Sequence, residues 1–422
     1  MEKTLYEQLS ETVYRHTLPN GLQIAVVPRP GFRKKLCYFT ADFGSIHRHF
    51  TMDGRDYALP MGIAHYLEHK LFDMPGRDIS AEFAALGASP NAFTGYDMTA
   101  YYFSCTDHFE QCLRLLLEFV STPYFTDETV EKERGIITQE ILMNKDNPDT
   151  VIFEQQAAVM YENHPVREPI LGTEASVAQI TAQTLFDCHK AFYHPSNMLL
   201  CVVGDVDPLE VAAIASQVLP NTPAPKVQRQ RQWEESMTCR KSYVSSQMEV
   251  AMPTFQLSFK CEDPGWGEPS ILTEIIGELA AEALFGESSK LYLKLYAEGL
   301  IDSSFGGGFD TMEGMSMLTA SGDSDDPAAV RDAIMEYARV LVRDGIPQQD
   351  FLRMKRSALG RRIRSLDSFD SVCFRVCAYH FSGYDFFCLP QLYQQVTQED
   401  IQHFIEHALT QQRCCLSVIE PL

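Results

Sequence analysis

The sequence predicts an α+β protein built from two tandem copies of one unit. Its 422 residues are enough for two or more domains. Each half shows a similar order of segments, in which strand-like stretches alternate with amphipathic helical stretches. Between the halves, three closely spaced prolines precede the polar run VQRQRQWEES, a composition typical of a linker. We therefore expect an N-terminal domain over 1–220, a linker over 221–240 and a structurally related C-terminal domain over 241–422.

In the N-terminal half, apolar residues that alternate with period two predict strands, and a period of 3.6 residues predicts helices. The expected strands lie near 11–28, 34–44, 91–106 and 198–205. The expected helices lie near 61–74, 79–86, 107–121, 127–146 and 178–192. Helices thus follow and interrupt a group of strands, as in an α+β unit.

The C-terminal half has a comparable order. A strand region near 248–261 is followed by one long helix from about 269 to 298 and by alternating segments near 303–321. Two further helices, near 326–344 and 347–366, precede a final strand near 413–419. The similarity of the two orders is the basis for predicting two related domains.

Composition limits the classes of function. With 45% apolar and 22% charged residues the chain is typical of globular proteins, and its formal net charge of −22 argues against nucleic acid as a partner. No run reaches the roughly 18 apolar residues of a membrane helix, and residues 1–16 lack an apolar signal core. The 12 cysteines form no disulfide pattern, which favours free thiols in a reducing compartment. We expect a cytoplasmic protein without a membrane partner.

Residues 65–69, His65-Tyr66-Leu67-Glu68-His69, are the most informative stretch. On a helix, positions i and i+4 share a face, so both imidazoles can reach one metal ion. Glu68 projects from the same face, where it can act on a water at that ion. The order H-x-x-E-H is the inverzincin signature. This pattern predicts a zinc hydrolase site with His65 and His69 as ligands and Glu68 as the catalytic carboxylate.

A catalytic zinc usually has three protein ligands, and the segment from 126 to 144 contains candidates for the third. Thr126 or Asp127 is a suitable helix cap, and acidic residues follow in the first turn. Glu133 and Glu140 are two helical turns apart and share a face. One of them can complete the zinc site while the other orients a histidine ligand, and the spacing leaves open which does which.

Two other patterns have simpler structural interpretations. Cys373, Cys377 and His380 have the spacing of metal ligands, but they fall in an aromatic, helical run that favours a place in the core. The run Gly306-Gly307-Gly308 is typical of a turn or a bulge.

The motifs together resemble the pitrilysin, insulinase and mitochondrial processing peptidase family of zinc metallopeptidases. The resemblance is carried by HYLEH at 65–69, by ERGIITQE at 133–140, by GASPNAFT at 87–94 and by YHPSNM at 193–198. It covers nearly all of residues 10–420 and is stronger in the first half. The closest type is the small bacterial two-domain member of the family.

The resemblance implies two α/β-roll domains that face each other and form half of a clam-like chamber. It implies one Zn²⁺ per chain, held by His65, His69 and Glu140, with Glu133 supporting the site. It also implies that an edge strand, comprising Asn91, Ala92, Phe93 and Thr94, binds an extended peptide substrate.

The C-terminal half departs from the family pattern. Active two-domain members carry an arginine and, seven residues later, a tyrosine, which bind substrate and stabilise the oxyanion. In this chain Tyr296 aligns with the arginine, and Asp302 or Ser303 aligns with the tyrosine. Small bacterial members often act as pairs of chains, of which the second lacks the zinc motif and carries these two residues. We therefore expect a heterodimer with such a catalytically incomplete, paralogous subunit.

The sequence thus predicts a zinc endopeptidase subunit that cleaves short or unfolded peptides with a metal-activated water. Removal of a leader peptide and general peptide turnover both remain open as its physiological role. One alternative is a structural or recognition subunit of the same fold without catalytic activity. Another is a metal-dependent hydrolase of substrates other than peptides.

Overall fold

A computed structural model describes residues 1–422 and contains two main β-sheets, one in each half of the chain. The strands of the N-terminal half are β1 (Glu2–Tyr6), β2 (Glu11–Thr17), β3 (Gln23–Pro28), β4 (Lys35–Ala41), β5 (His49–Met52), β6 (Arg55–Ala58), β7 (Asp73–Met74), β8 (Arg77–Asp78), β9 (Ser89–Thr94), β10 (Thr99–Cys105), β11 (Met198–Gly204) and β12 (Val227–Arg229). Its helices are α1 (Ile63–Leu71), α2 (Ile79–Ala85), α3 (Phe109–Ser121), α4 (Asp127–Lys145), α5 (Pro148–Met160), α6 (Glu174–Val177), α7 (Ala182–Phe192) and α8 (Pro208–Val218).

The C-terminal half follows with a smaller set of strands and longer helices. Its strands are β13 (Tyr243–Met248), β14 (Thr254–Cys261), β15 (Gly306–Met312), β16 (Met315–Asp323) and β17 (Cys414–Pro421). Its helices are α9 (Glu268–Phe285), α10 (Lys290–Ala297), α11 (Pro327–Asp344), α12 (Gln348–Arg364), α13 (Phe369–Phe381), α14 (Leu389–Gln395) and α15 (Gln398–Ala408). No helix is long and apolar enough to cross a membrane.

The two sheets share one topology. The N-terminal sheet has the order β1-β2-β3-β11-β4-β10-β9, and the C-terminal sheet has the order β13-β17-β14-β16-β15. The five strands β3-β11-β4-β10-β9 correspond to β13-β17-β14-β16-β15. In each of these sheets the strand that comes last in the chain, β11 or β17, pairs parallel with one neighbour, β3 or β13, and antiparallel with the other, β4 or β14. The predicted fold class, two related α+β units with mainly antiparallel sheets, is confirmed.

Each half contributes one helix that packs on the sheet of the other half. α5 of the N-terminal half packs on β13, β14 and β17, and α13 of the C-terminal half packs on β4 and β11. The chain has two large hydrophobic cores. One lies between the N-terminal sheet and the helices of its own half. The other lies on the opposite face of that sheet and continues into the C-terminal half. The buried Gln156 of α5 binds the partner sheet through hydrogen bonds of 2.8 Å from its amide nitrogen to the backbone oxygens of Gln256 and Cys415. The halves therefore form one packed body.

The sequence prediction differs from the structure at several elements. The long helix expected over 269–298 is two helices, α9 and α10, because the chain turns at Gly286 and Ser289 starts a new helix by accepting a hydrogen bond from the Tyr292 backbone nitrogen. The segment expected to be a linker, 221–240, contains β12, which pairs antiparallel with β5. The helix α5 and the hairpin of β5 and β6 were not predicted.

Candidate metal centre

The helix α1 presents the H-x-x-E-H motif from a tightly packed position. It starts after Gly62, whose φ of 86° lies in the left-handed region and whose position leaves no room for a side chain, since a Cβ there would lie 2.4 Å from the Leu171 carbonyl oxygen. Apolar residues of α1, including Tyr66 and Leu67, are fully buried against β9 and β10. Packing on these sides leaves one face of α1, which carries the motif, directed towards α4.

The helix α4 is held in register with α1 by two contacts at its first turn. The Tyr66 hydroxyl donates a hydrogen bond to the Val130 carbonyl, and the fully buried Lys70 ammonium donates one to the Thr129 carbonyl at 3.3 Å. Thr126 caps α4 through a hydrogen bond from the Thr129 backbone nitrogen, one of the two caps that the sequence allowed. These contacts fix which residues of α4 face the histidines.

Three predicted ligands meet between the two helices. The ligand atoms of His65, His69 and Glu140 all lie within 4.8 Å of one another. The Nε2 atoms of His65 and His69 lie 3.6 Å and 3.4 Å from the two carboxylate oxygens of Glu140. Two ligands bonded to one tetrahedral zinc at about 2.0–2.1 Å stand roughly 3.3 Å apart, so these separations fit an ion between them. Two imidazoles and a carboxylate are also a usual donor set for catalytic zinc.

Glu133 lies beside the cluster and contacts the other nitrogen of His69. Its carboxylate oxygen is 2.9 Å from His69 Nδ1, which leaves Nε2 free to face Glu140. Burial lowers the pKa of His69, but the hydrogen bond to Glu133 and the charges of Glu133, Glu68 and Glu140 outweigh burial and raise it. A carboxylate in this position orients an imidazole and makes it a stronger donor. The geometry thus separates the two glutamates that spacing alone left interchangeable.

Glu68 is held by a residue that the sequence had assigned to substrate binding. The Thr94 hydroxyl at the end of β9 donates a hydrogen bond of 2.5 Å to the Glu68 carboxylate. The side chain of Glu68 is only about 9% exposed, and burial raises its pKa despite the opposing hydrogen bond and the nearby histidines. A buried carboxylate with a raised pKa and a fixed rotamer suits proton transfer. The Thr94 contact was not predictable, because it depends on the packing of α1 against β9.

The strand β9, which contains the other predicted substrate residues, forms one edge of the seven-stranded sheet. One side of β9 pairs with β10, and the other side has no strand partner. Ala92 packs into the N-terminal core, whereas the Phe93 ring lies 5.8 Å from the ring of Phe374 on α13. Asn91 is exposed and hydrogen-bonds through its side chain to the Ala92 backbone nitrogen. An unpaired edge ending beside Glu68 is therefore available to an extended backbone.

The electrophilic part of a hydrolytic site does not accompany this cluster. No lysine, arginine or tyrosine hydrogen-bonds to His65, Glu68, His69 or Glu140. Tyr296 is half exposed on α10, which packs on α9 and α11 of its own half, and Asp302 follows that helix. A cavity of about 960 Å³ lies at the seam of the halves and is lined by none of the cluster residues. The cluster thus lies beside an edge strand and apart from this cavity.

Two further groups of possible metal ligands differ in whether the structure brings their side chains together. Cys373 and Cys377 are fully buried whereas His380 is exposed, so the structure does not bring these three together as a metal site. Sequence reasoning missed the group of His403, Glu406 and His407 on α15, whose ligand atoms also lie within 4.8 Å of one another. The sequence does indicate this group, because residues 403–407 repeat the H-x-x-E-H spacing.

The fold and the cluster are those expected of a peptidase family of the inverzincin type. The profile of the family described as Insulinase (Peptidase family M16) matches residues 56–174, and that of the Peptidase M16 inactive domain matches residues 179–358. The chain belongs to peptidase family M16, the insulinase family.

Individual relatives agree with this assignment. The uncharacterized zinc protease YmfH of Bacillus subtilis is 37% identical over 99% of this chain and 98% of its own length. An M16-like peptidase from Alicyclobacillus acidocaldarius superposes with a TM-score of 0.93 at 32% identity, covering 98% of this chain and 99% of that one. Pitrilysin shares the fold, with a TM-score of 0.78 at 18% identity, but the match covers 97% of this chain and only 45% of pitrilysin.

Proposed function

We propose that the chain is the metal-bearing subunit of a zinc endopeptidase that cleaves short or unfolded peptides. The observation that carries this proposal is the meeting of His65, His69 and Glu140, with the buried carboxylate of Glu68 in the same groove. Three protein ligands leave a fourth position free, as in catalytic zinc sites and unlike structural ones. The relatives that bear the name zinc protease support the same metal.

The residues of the chain have distinct roles in this proposal. His65, His69 and Glu140 would hold a Zn²⁺, which would supply a water with its pKa lowered towards about 7 and a charge that polarises the scissile carbonyl. Glu68 accepts the proton of the attacking water and then delivers it to the leaving amine, which its raised pKa favours. Thr94 binds Oε2 of Glu68, which leaves Oε1 for the proton. Glu133 keeps His69 in the orientation that directs Nε2 towards the ion.

The substrate binds as an added strand in this proposal. The free edge of β9 supplies backbone donors and acceptors from Asn91 to Thr94, and the last of these residues contacts Glu68. A peptide that pairs with this edge places a carbonyl next to the cluster without needing a closed pocket. Folded proteins cannot supply such a free strand, so short or unfolded peptides, including leader segments, are the favoured class. This arrangement disfavours hydrolysis of small non-peptide substrates.

A second, paralogous chain supplies the missing electrophile in this proposal. No lysine, arginine or tyrosine hydrogen-bonds to the cluster, and removal of one oxyanion donor from a hydrolase costs roughly 10²–10³ in rate. Pitrilysin is about twice as long as this chain, since the match covers 97% of this chain and 45% of pitrilysin, which leaves room in that one chain for a second unit of this size. A heterodimer with a related subunit that carries the arginine and tyrosine is the equivalent arrangement from two chains.

The experiment measures metal content and cleavage of a fluorogenic peptide library by the untagged chain, alone and mixed with the M16-type chain of the same organism that lacks H-x-x-E-H. We expect one tightly bound zinc per chain, weak cleavage alone, and a gain of roughly 10²–10³ on mixing. Addition of a zinc chelator should abolish the gain, and added zinc should restore it.

Two results would contradict the proposal in different ways. Full cleavage by the chain alone would remove the need for a partner while leaving the zinc site intact. Tight zinc binding without cleavage in any mixture would favour the alternative, a recognition subunit. That alternative is disfavoured by the hydrogen bond from Thr94 to Glu68, because metal binding alone does not need an oriented Glu68.

A further inference from the structure

The chain contains a second H-x-x-E-H sequence, formed by His403, Glu406 and His407. These residues lie on α15, and all three side chains are exposed. The imidazole rings are 4.0 Å apart between centroids, and the three ligand atoms lie within 4.8 Å of one another. No side chain outside this group binds any of them, so no contact within the fold explains the cluster.

The nitrogen atoms of this cluster are disposed for an ion. His407 Nδ1 lies 2.8 Å from the His403 carbonyl oxygen, which fixes Nδ1 as the donor and leaves Nε2 as a free lone pair. His407 also lies in the last turn of α15, which ends at Ala408. The carbonyl groups at a helix C-terminus carry a partial negative charge that favours a cation. The formal net charge of −22 also favours the binding of a cation.

We propose that His403, Glu406 and His407 form a second, peripheral site for a divalent transition ion such as Zn²⁺, Ni²⁺ or Cu²⁺. Two imidazoles select this class over Mg²⁺ and Ca²⁺, which prefer oxygen donors. The site contains donors from one helix only and no residue that orients His403. It therefore binds the ion more weakly than the centre between α1 and α4, and it leaves several coordination positions to water or to a ligand from another molecule.

The test uses the full, untagged chain with its first site loaded with zinc, titrated with further Zn²⁺ by calorimetry and with Cu²⁺ by electron paramagnetic resonance. We expect one additional, weaker binding event and a copper signal with nitrogen hyperfine structure. The double variant His403→Ala, His407→Ala should lose both. The variant His49→Ala, which removes a lone exposed histidine of β5, should lose neither.

The proposal is wrong if the double variant binds the added ions as the unmodified chain does, or if the unmodified chain binds none. Circular dichroism of both variants checks that the fold is intact, and exposed positions are expected to tolerate alanine. Glu406→Gln separates the carboxylate from the imidazoles: weaker Zn²⁺ binding with the nitrogen hyperfine pattern retained supports all three ligands. Unchanged Zn²⁺ affinity in Glu406→Gln would overturn the assignment of Glu406.

Discussion

The chain carries the same five-residue spacing twice, on α1 and on α15, in opposite surroundings. At 65–69 the motif is buried, with His65 about 7% exposed, and a second helix supplies Glu140 and Glu133. At 403–407 all three polar side chains are exposed, and no other element reaches them. The spacing alone brings two imidazoles and a carboxylate together. The third ligand, the orientation of the imidazole and the burial of the glutamate come from neighbouring elements.

The topology indicates that the second motif is not a remnant of the first. α1 follows β4 and precedes β9, and in the C-terminal half the place between the corresponding β14 and β15 belongs to α9 and α10. Neither α9 nor α10 contains a histidine. α15 precedes β17 as α7 precedes β11, so its counterpart is α7. The C-terminal half therefore has the fold of the N-terminal half but not its metal centre.

Substitution of the glutamate in each motif, Glu68 and Glu406, tests the comparison between the two motifs most strongly. Glu68→Gln should lower kcat for peptide cleavage, measured with the partner present, by about 10²–10⁴, because it removes the proton acceptor while retaining the size of the side chain. Its zinc content should stay the same. Glu406→Gln should leave cleavage within about twofold. Equal effects of the two substitutions would contradict the assignment of chemistry to α1.

The next largest effect is expected for Glu133, the residue that orients His69. Glu133→Gln should reduce zinc affinity about 10–100-fold, because the imidazole loses the carboxylate that orients it and raises its basicity. Competition with a chromophoric chelator measures this change. Glu131→Gln is the matched control, since Glu131 lies on the same helix but pairs with Arg134 instead. An unchanged affinity in Glu133→Gln would mean that α4 contributes Glu140 alone.

A smaller effect is expected at Thr94. Thr94→Val removes the hydroxyl that holds Glu68 and should lower kcat about 10-fold, which corresponds to the lower end of the roughly 1.5–3 kcal/mol that hydrogen bonds to charged groups contribute. Thr94→Ser should restore most of the rate, and zinc content should be unaffected in both. If valine and serine give the same rate, Thr94 acts through the shape of β9 and not through its hydroxyl.

The smallest effects concern stability. Removing both α15 histidines should change the free energy of unfolding by less than about 0.5 kcal/mol, because they are exposed. Tyr66→Phe should cost about 0.5–1.5 kcal/mol, because it removes the buried hydrogen bond from the Tyr66 hydroxyl to the Val130 carbonyl. Urea denaturation followed by circular dichroism compares the two. A larger loss from the α15 variant would mean that this cluster has a structural role.

Sequence reasoning predicted the fold class correctly and proposed three residues of the candidate centre that the structure places together, but it failed where distant segments meet. His65, Glu68 and His69 are readable because a helix places i, i+3 and i+4 on one face. The distinction between Glu133 and Glu140 came from a resemblance, because both lie on one face of α4. Thr94 was assigned to the substrate strand because its contact with Glu68 depends on long-range packing. The break between α9 and α10 was missed because apolar periodicity continues across it.

The exchange of α5 and α13 between the halves has a consequence for how the protein is made. One face of the N-terminal sheet is complete when β11 has been synthesised, yet it stays exposed until α13 emerges from the ribosome. At about 5–20 residues per second this interval is on the order of 10–40 s. During translation this apolar sheet surface therefore stays open to solvent until about the last eighth of the chain is made, and throughout that interval it is a surface that a holdase chaperone can bind.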